Sequence, residues 1–207
     1  MRTMTAQSRI QVAVATALLL LTFLFPIWRV DLFAPQYPDG LGLRIGLTKI
    51  EGAEPYDLQN IDILNHYVGM RPIDAEAFPE LQYMPWIVAA LALVGALTAA
   101  LGRRWLLFTW TGLLILAAIA GFADYYRWLH AYGHDLDPTA AIKLPGGGFQ
   151  PPLLGSKTIL NITVRSLPAL GGWAAILAGI LAVVATVTEI RRQRTRSHAP
   201  GGADDEP

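Results

Sequence analysis

The chain of 207 residues contains no cysteine. That excludes disulfides, thiolate metal ligands and a CxxCH haem attachment together, so loops outside a bundle core must be ordered by packing or by a bound ion. Charge is also scarce. Asp, Glu, Lys and Arg make up 15% of the residues against 53% hydrophobic, and 16 basic side chains balance 16 acidic ones to a formal net charge of zero. That balance points away from a soluble protein, and it gives no footing for nucleic acid. Enzyme signatures are missing as well: there is no HExxH helix, no glycine-rich phosphate loop after a strand, and no recognisable order of Ser, His and Asp. LPGGG at 144–148 is glycine-rich but reads as a turn. The chain is therefore not expected to be an enzyme.

What is present is apolar sequence in bunches. A bilayer core of about 30 Å needs roughly 20 apolar helical residues, and segments 10–28, 85–101, 105–122 and 169–188 come close to that length. The second and third form a helical hairpin turned by Gly102, Arg103 and Arg104. Eight of the 16 Lys and Arg lie in three short pieces: Arg2 and Arg9 before the first span, Arg103 and Arg104 in the hairpin, and Arg191, Arg192, Arg194 and Arg196 after the last. By the positive-inside rule the amino-terminal 1–9 and the tail 189–207 are cytoplasmic, and the long connections 29–84 and 123–168 face the periplasm. The first span outruns a signal-peptide core, and FPIWRVD offers no small-residue cleavage pattern, so it is expected to be retained. The expected fold class is an all-α membrane protein with four transmembrane helices, both termini inside, and a small extracytoplasmic cap of short strands and one short helix.

The spans carry almost nothing ionisable, which weighs against a pump or channel. Small residues recur every four positions, Gly171, Ala175 and Gly179 on the fourth span and Ala92, Ala96 and Ala100 on the second. That spacing predicts close helix contact, inside this bundle or with a partner subunit. In the loops, LGLRIGLTKI at 41–50 alternates Leu41, Leu43, Ile45 and Leu47 with Gly42, Arg44, Gly46 and Thr48, the period of a half-buried strand. TILNITV at 158–164 repeats this weakly and is expected to pair with it. Asp57 is the expected N-cap of a short helix that Gly69 stops. The tail from Ser197 is expected to be disordered.

Two loop segments carry metal-ligand chemistry. In NIDILNHYVGM (60–70), Asp62, His66 and Met70 recur at four-residue intervals along one face of a short helix. Imidazole with a thioether suits copper, since soft sulfur stabilises Cu(I). The bland alternative is that Met70 packs, Asp62 is solvated and His66 bonds a neighbouring loop. In ADYYRWLHAYGHDLDP (123–138), Tyr125, Tyr126, Trp128 and Tyr132 read as an interfacial belt, and Asp124 pairs with Arg127 one turn on. His130 and His134 are also four apart, but Gly133 is expected to fray the helix between them, and haem ligation from the bundle rim is weak. A site shared by His66 and His134 across the two loops, with Met70, is the sharper expectation.

The motifs APQYPDGLGLRI, NIDILNHYVGM, DYYRW followed by GHDLDPTAAIKLPG, QPPLLGSKTILN and GGW carry a resemblance. From about residue 20 to 180 the chain resembles a family of small four-span bacterial membrane proteins of nitrous oxide reductase gene clusters (NosB-like), of the Sec-exported type. Asn65, His66, Tyr67, Gly69 and Met70, with Gly133, His134, Asp137 and Pro138, match its pattern, and His130 does not. The resemblance implies an inner-membrane accessory protein that supports a periplasmic copper enzyme by copper handling, assembly or electron supply. Its partners would be the bilayer and that enzyme or its maturation and electron-transfer proteins. The alternative is a membrane anchor or scaffold for a periplasmic redox partner that touches no metal.

Overall fold

The computed structural model describes residues 3–197; Arg2 and the expected disordered tail from His198 onward lie outside the described residues. In chain order the elements are α1 (Ala6–Leu20), β1 (Trp28–Ala34), β2 (Tyr37–Ile45), β3 (Ile50–Gly52), α2 (Asp57–Val68), α3 (Glu80–Leu101), α4 (Arg104–His134), β4 (Gly155–Ile159), β5 (Ile162–Pro168) and α5 (Leu170–Ser197). Four helices are long and apolar enough to cross a membrane: α1 with the 3₁₀ turn that closes it, α3, α4 and α5. Their outer faces expose Leu93, Leu116, Ile119, Leu177 and Ile180, side chains that lipid solvates and water does not. These features fit a multi-pass membrane protein.

The first helix is shorter than its apolar run. α1 gives way to the turn Leu21–Phe23, because Phe25 precedes Pro26 and such a residue is pushed out of the helical region. Trp28, expected as the end of a span, instead opens β1. In the other direction, α4 does not stop near Phe122 but runs 31 residues to His134. At about 1.5 Å per residue it outreaches a hydrocarbon core of about 30 Å. Its last turns enter the cap.

Within the bundle, Val12, Ala15 and Leu19 of α1 pack with Leu91 and Ala92 of α3, Leu107 and Trp110 of α4, and Ala178, Ala182 and Ala185 of α5. Of the expected small residues, Ala92 and Gly171 are buried and Ala175 packs against the core, but the rest of each row is shifted. On α5 the buried row is Ala174, Ala178, Ala182 and Ala185, whereas Gly179 faces open space; on α3 it is Ala92 and Gly95, whereas Ala96 and Ala100 are exposed. Steps of four overshoot the helical period of 3.6, so a strictly four-spaced row spirals off one face, while a row with a step of three stays on it. Gly95 sits where any Cβ would strike Thr16 and, at 2.8 Å, the Trp110 ring. Trp110 Nε1 donates to the Leu91 carbonyl at 2.8 Å, which satisfies the indole inside the bundle.

The bundle end opposite the cap is closed by polar contacts. Gly102, left-handed at φ 61°, caps α3 and turns the hairpin as expected. Arg9 donates from Nε to Ala99 O and from Nη2 to Ala100 O, both at 2.8 Å, covering carbonyls that the end of α3 leaves open. One charge pair lies inside: Glu189 is fully buried and Arg104 nearly so. Glu189 Oε1 accepts from Thr5 N at 2.7 Å and Ser8 Oγ at 2.9 Å. Its Oε2 stands 2.7 Å from Arg104 Nε but off the N–H axis, so that contact is Coulombic rather than a directed hydrogen bond.

At the other end, one antiparallel sheet of order β3-β2-β1-β5-β4 forms the cap. The segments expected as two strands that pair with each other behave differently. LGLRIGLTKI folds back at Gly46–Lys49 into β2 and β3, and TILNITV folds at Leu160, held left-handed at φ 54°, into the end of β4 and the start of β5. β2 and β5 flank β1 rather than meeting, with Val30 opposite Leu43 on one side and Ser166 on the other.

Removing the Glu189 carboxylate leaves Arg104 as an unpaired buried cation. Glu189→Ala is expected to destabilise the bundle by about 3–5 kcal/mol, read by denaturant unfolding in micelles, and Glu189→Gln, which keeps acceptors for Thr5 and Ser8, by less.

Candidate functional site

The candidate residues lie where α2, the end of α4 and the loop 135–151 meet over the sheet. The inner sheet face supplies Val30, Leu41, Leu43 and Val164, α2 supplies Ile61, α4 supplies Tyr132, and the loops supply Ile73, Leu144 and Phe149. α2 starts at Asp57, but Asp57 does not cap it. Tyr56, left-handed at φ 72°, occupies the capping position, and Asp57 Oδ2 instead accepts from Gly42 N at 2.8 Å and Glu54 N at 3.1 Å, tying the helix to the sheet. Gly69 ends α2 as expected, at φ 83°.

The two loops do converge. Asp137 N donates to Gly69 O at 2.8 Å and Ile142 N to Tyr67 O at 2.9 Å. Gly69 has to be glycine for this contact, since a Cβ there would stand 2.9 Å from Asp137 O. The three candidate donors differ in exposure. Met70, beyond the helix, lines a cavity of about 110 Å³ together with Ile61, Val68, Trp128, Tyr132 and Phe149. His66 and His134 are on the surface. Among the described residues no three His, Asp or Glu side chains are grouped to hold a metal ion. Asp62, the third residue of the expected face, is a latch: its Oδ1 accepts from Ile73 N at 2.8 Å. Burial pushes its carboxyl above the ordinary value, and that hydrogen bond pulls it part of the way back. Asp137, close to His66, is held low chiefly by the hydroxyl and N–H of Thr139, with Lys143 and His66 adding to it.

The last turns of α4 hold the residues that the aromatic-belt reading mistook. Only Tyr126 of the four is largely exposed. Trp128 lies tilted against Tyr132 with ring centroids 4.6 Å apart and meets Phe78 edge-on at 5.0 Å, and Tyr125 shares Ser166 with Trp28. Tyr125, Trp128, Leu129 and Tyr132 take the i, i+3, i+4, i+7 spacing of a helix face turned to a core. That spacing was the available signal. Asp124 and Arg127 pair at 2.7 Å, as their separation predicts. Tyr132 OH donates to Pro72 O at 2.7 Å, whereas Trp128 Nε1 is buried at the cavity without a hydrogen-bond partner among the described residues.

Gly133 does not fray the helix. It is the point where the loop closes on α4: Phe149 N donates to Gly133 O at 2.8 Å, and a Cβ on Gly133 would collide with the Phe149 backbone. His130 and His134 therefore stay one turn apart on a continuous helix, stacked at 4.1 Å.

The Asp62 latch makes a prediction. Asp62→Ala strands the Ile73 N–H and is expected to cost about 1 kcal/mol in unfolding free energy, whereas Asp62→Asn keeps an acceptor and costs less. Because the folded carboxyl titrates above its unfolded value, ionising it opposes folding. The penalty is absent below the ordinary carboxylate value, grows as pH rises through the raised folded value, and should vanish from the difference curve of Asp62→Asn against the parent. No known family model matches the chain, and no curated protein does.

Proposed function

We propose that the chain is an accessory protein of the bacterial inner membrane whose periplasmic cap docks a copper enzyme of the nitrous oxide reductase type or one of its redox partners. The sequence motifs supply the setting. The observation that carries the docking role is the exposed side of α2 and the residue before it, where Tyr56, just ahead of the helix, and Ile63 and Tyr67 on it are 71%, 51% and 51% exposed. Tyrosine with an aliphatic neighbour is the composition of interface anchors. The helix is pinned to the sheet through Asp57 and to the second loop through Tyr67 and Gly69, so the surface is presented rigidly. Met70 lines the cap cavity whereas His66 and His134 are exposed, a difference in surroundings that supports the anchor reading.

Two measurements test it. Binding of the purified copper enzyme to the chain in nanodiscs should be saturable, and Ile63→Asp or Tyr67→Asp should weaken it tenfold or more, about 1.4 kcal/mol; absence of saturable binding refutes the proposal. Orientation is tested separately, since the chain has no cysteine of its own. Single cysteines at exposed Glu76 and Ser156 should react with an impermeant thiol reagent added outside spheroplasts, and one at exposed Arg103 only after permeabilisation. The reverse pattern would invert the topology.

A further inference from the structure

We propose that the cavity inside the cap is a binding site for the end of an unbranched alkyl chain, carried by a small amphiphile that enters from the side away from the bundle, with Leu160 as its cover. The site uses the cap interior rather than the exposed side of α2, so it stands or falls apart from the docking reading. Its walls come from every layer of the cap: Val30 and Val164 of the sheet, Ile61 of α2, Trp128 of α4 and Phe149 of the loop. The volume is about 110 Å³. Apolar cavities of about 150 Å³ stay dry and take up benzene or xenon, so this one suits a segment of about four or five carbons. The polar side chains of the wall are engaged elsewhere or shut away: Tyr132 OH donates to Pro72 O at 2.7 Å, Asn65 Nδ2 reaches Arg71 O at 3.5 Å, and Trp128 Nε1 is closed off from solvent. A guest that needs hydrogen bonds would give up its water contacts there without replacement, whereas hydrocarbon has none to lose. Met70 also lines the cavity, and its unbranched thioether can adapt to a flexible chain.

One residue marks the mouth. Of the side chains that line the cavity, Leu160 alone is exposed, at 56%. It lies in the hairpin between β4 and β5, where Ile159 pairs with Ile162 and only Leu160 and Asn161 connect them. Leu160 takes φ 54°, the left-handed region, at a turn position that glycine usually fills. A bulky side chain is held there against the backbone preference. The turn gains nothing from leucine, so the gain lies in covering the apolar opening, and strained residues of this kind gather at ligand clamps and switches. β5 runs from this hairpin to Pro168, beside the start of α5, and at about 3.3 Å per residue its length puts the mouth up to about 20 Å from the bundle. That is away from the acyl chains of the bilayer. The alkyl end therefore arrives on a molecule from the aqueous phase, whose polar head stays outside at Leu160.

The test places the full chain, labelled with carbon-13 in its methionine methyl groups, in nanodiscs and titrates it with straight-chain carboxylates from butanoate to decanoate. The Met70 methyl signal, assigned through Met70→Leu, should shift saturably, whereas partition into the bilayer does not saturate. Affinity should rise about fourfold per methylene and level off once about five carbons fill the cavity. Leu64→Phe, which adds bulk to the wall, should weaken binding at least tenfold and raise the melting temperature, as filling a cavity does. Val68→Leu is the smaller filling, expected to do both to a lesser extent, and it carries the test if Leu64→Phe does not fold. Leu160→Gly should keep saturable binding but speed release at least tenfold, read from methyl line shapes. Tyr67→Asp, which targets docking, should leave binding unchanged. A shift that stays linear in ligand, an affinity that climbs without a plateau, or unchanged binding in a folded filling variant overturns the site. Unchanged release in Leu160→Gly overturns the cover.

Discussion

The structure depends on α4 remaining one helix from the hairpin at Arg104 to His134. Hydrocarbon of about 30 Å accepts only part of it, and the remainder emerges with a face of Tyr125, Trp128, Leu129 and Tyr132 that must be covered. The cap is the cover. Its sheet is reached without slack: β1 begins a few residues after α1 and β5 runs straight into α5, with Ala169 N bonded to Ile27 O at 3.1 Å and Gly171 N to Pro26 O at 2.9 Å. Helices α1 and α5 thus hold the sheet at its centre, while α4 supplies the wall against which α2 and the loop 135–151 close. Bundle and cap share Trp28, Phe122 and Tyr125, whose rings meet within 6 Å at the junction.

Closing the cap brings backbones together rather than side chains alone. Gly69 admits the Asp137 backbone and Gly133 admits that of Phe149. At both points a hydrogen bond uses the room that the missing Cβ leaves, Asp137 N to Gly69 O and Phe149 N to Gly133 O, each 2.8 Å. Without cysteine, this is how the long connections are ordered: glycine contacts set the approach, and apolar burial of Ile61, Ile73, Leu144 and Phe149 stabilises it. The same closure aims Asp62 Oδ1 at the Ile73 N–H.

Apolar bunching was enough to read four long helices, their hairpin and the presence of a stranded cap, because each rests on a local property: hydrocarbon length, a left-handed glycine, and alternation along LGLRI. What was not legible depended on tertiary context. β1 is masked by its own composition, since WRVDLFA continues an apolar run, and only Pro26 marks the change. The aromatic residues of α4 have the composition of a membrane belt, and whether they face lipid or protein is decided by a sheet made from distant segments. For the candidate donors, the expected meeting of the two loops is seen, and Met70 lies beyond the helix that Gly69 ends.

Gly69 and Gly133 look alike in sequence, each near the end of a helix that bears histidine, yet the first terminates its helix and the second does not. The cause is the distance from each glycine to the next proline. After Gly69 comes Met-Arg-Pro, and Pro72 both lacks an N–H and drives Arg71 out of the helical region. The helix has no residues left in which to continue, so the left-handed glycine exit is taken and Met70 swings into the apolar interior, where a thioether loses nothing by leaving water. After Gly133 the next proline is Pro138, leaving room for Asp135 N to complete a further helical bond to Ala131 O at 2.9 Å. His134 is thereby kept in register with His130. The position of one proline relative to each glycine thus turns a methionine toward the cap interior in one case and keeps two imidazoles stacked on one helix in the other.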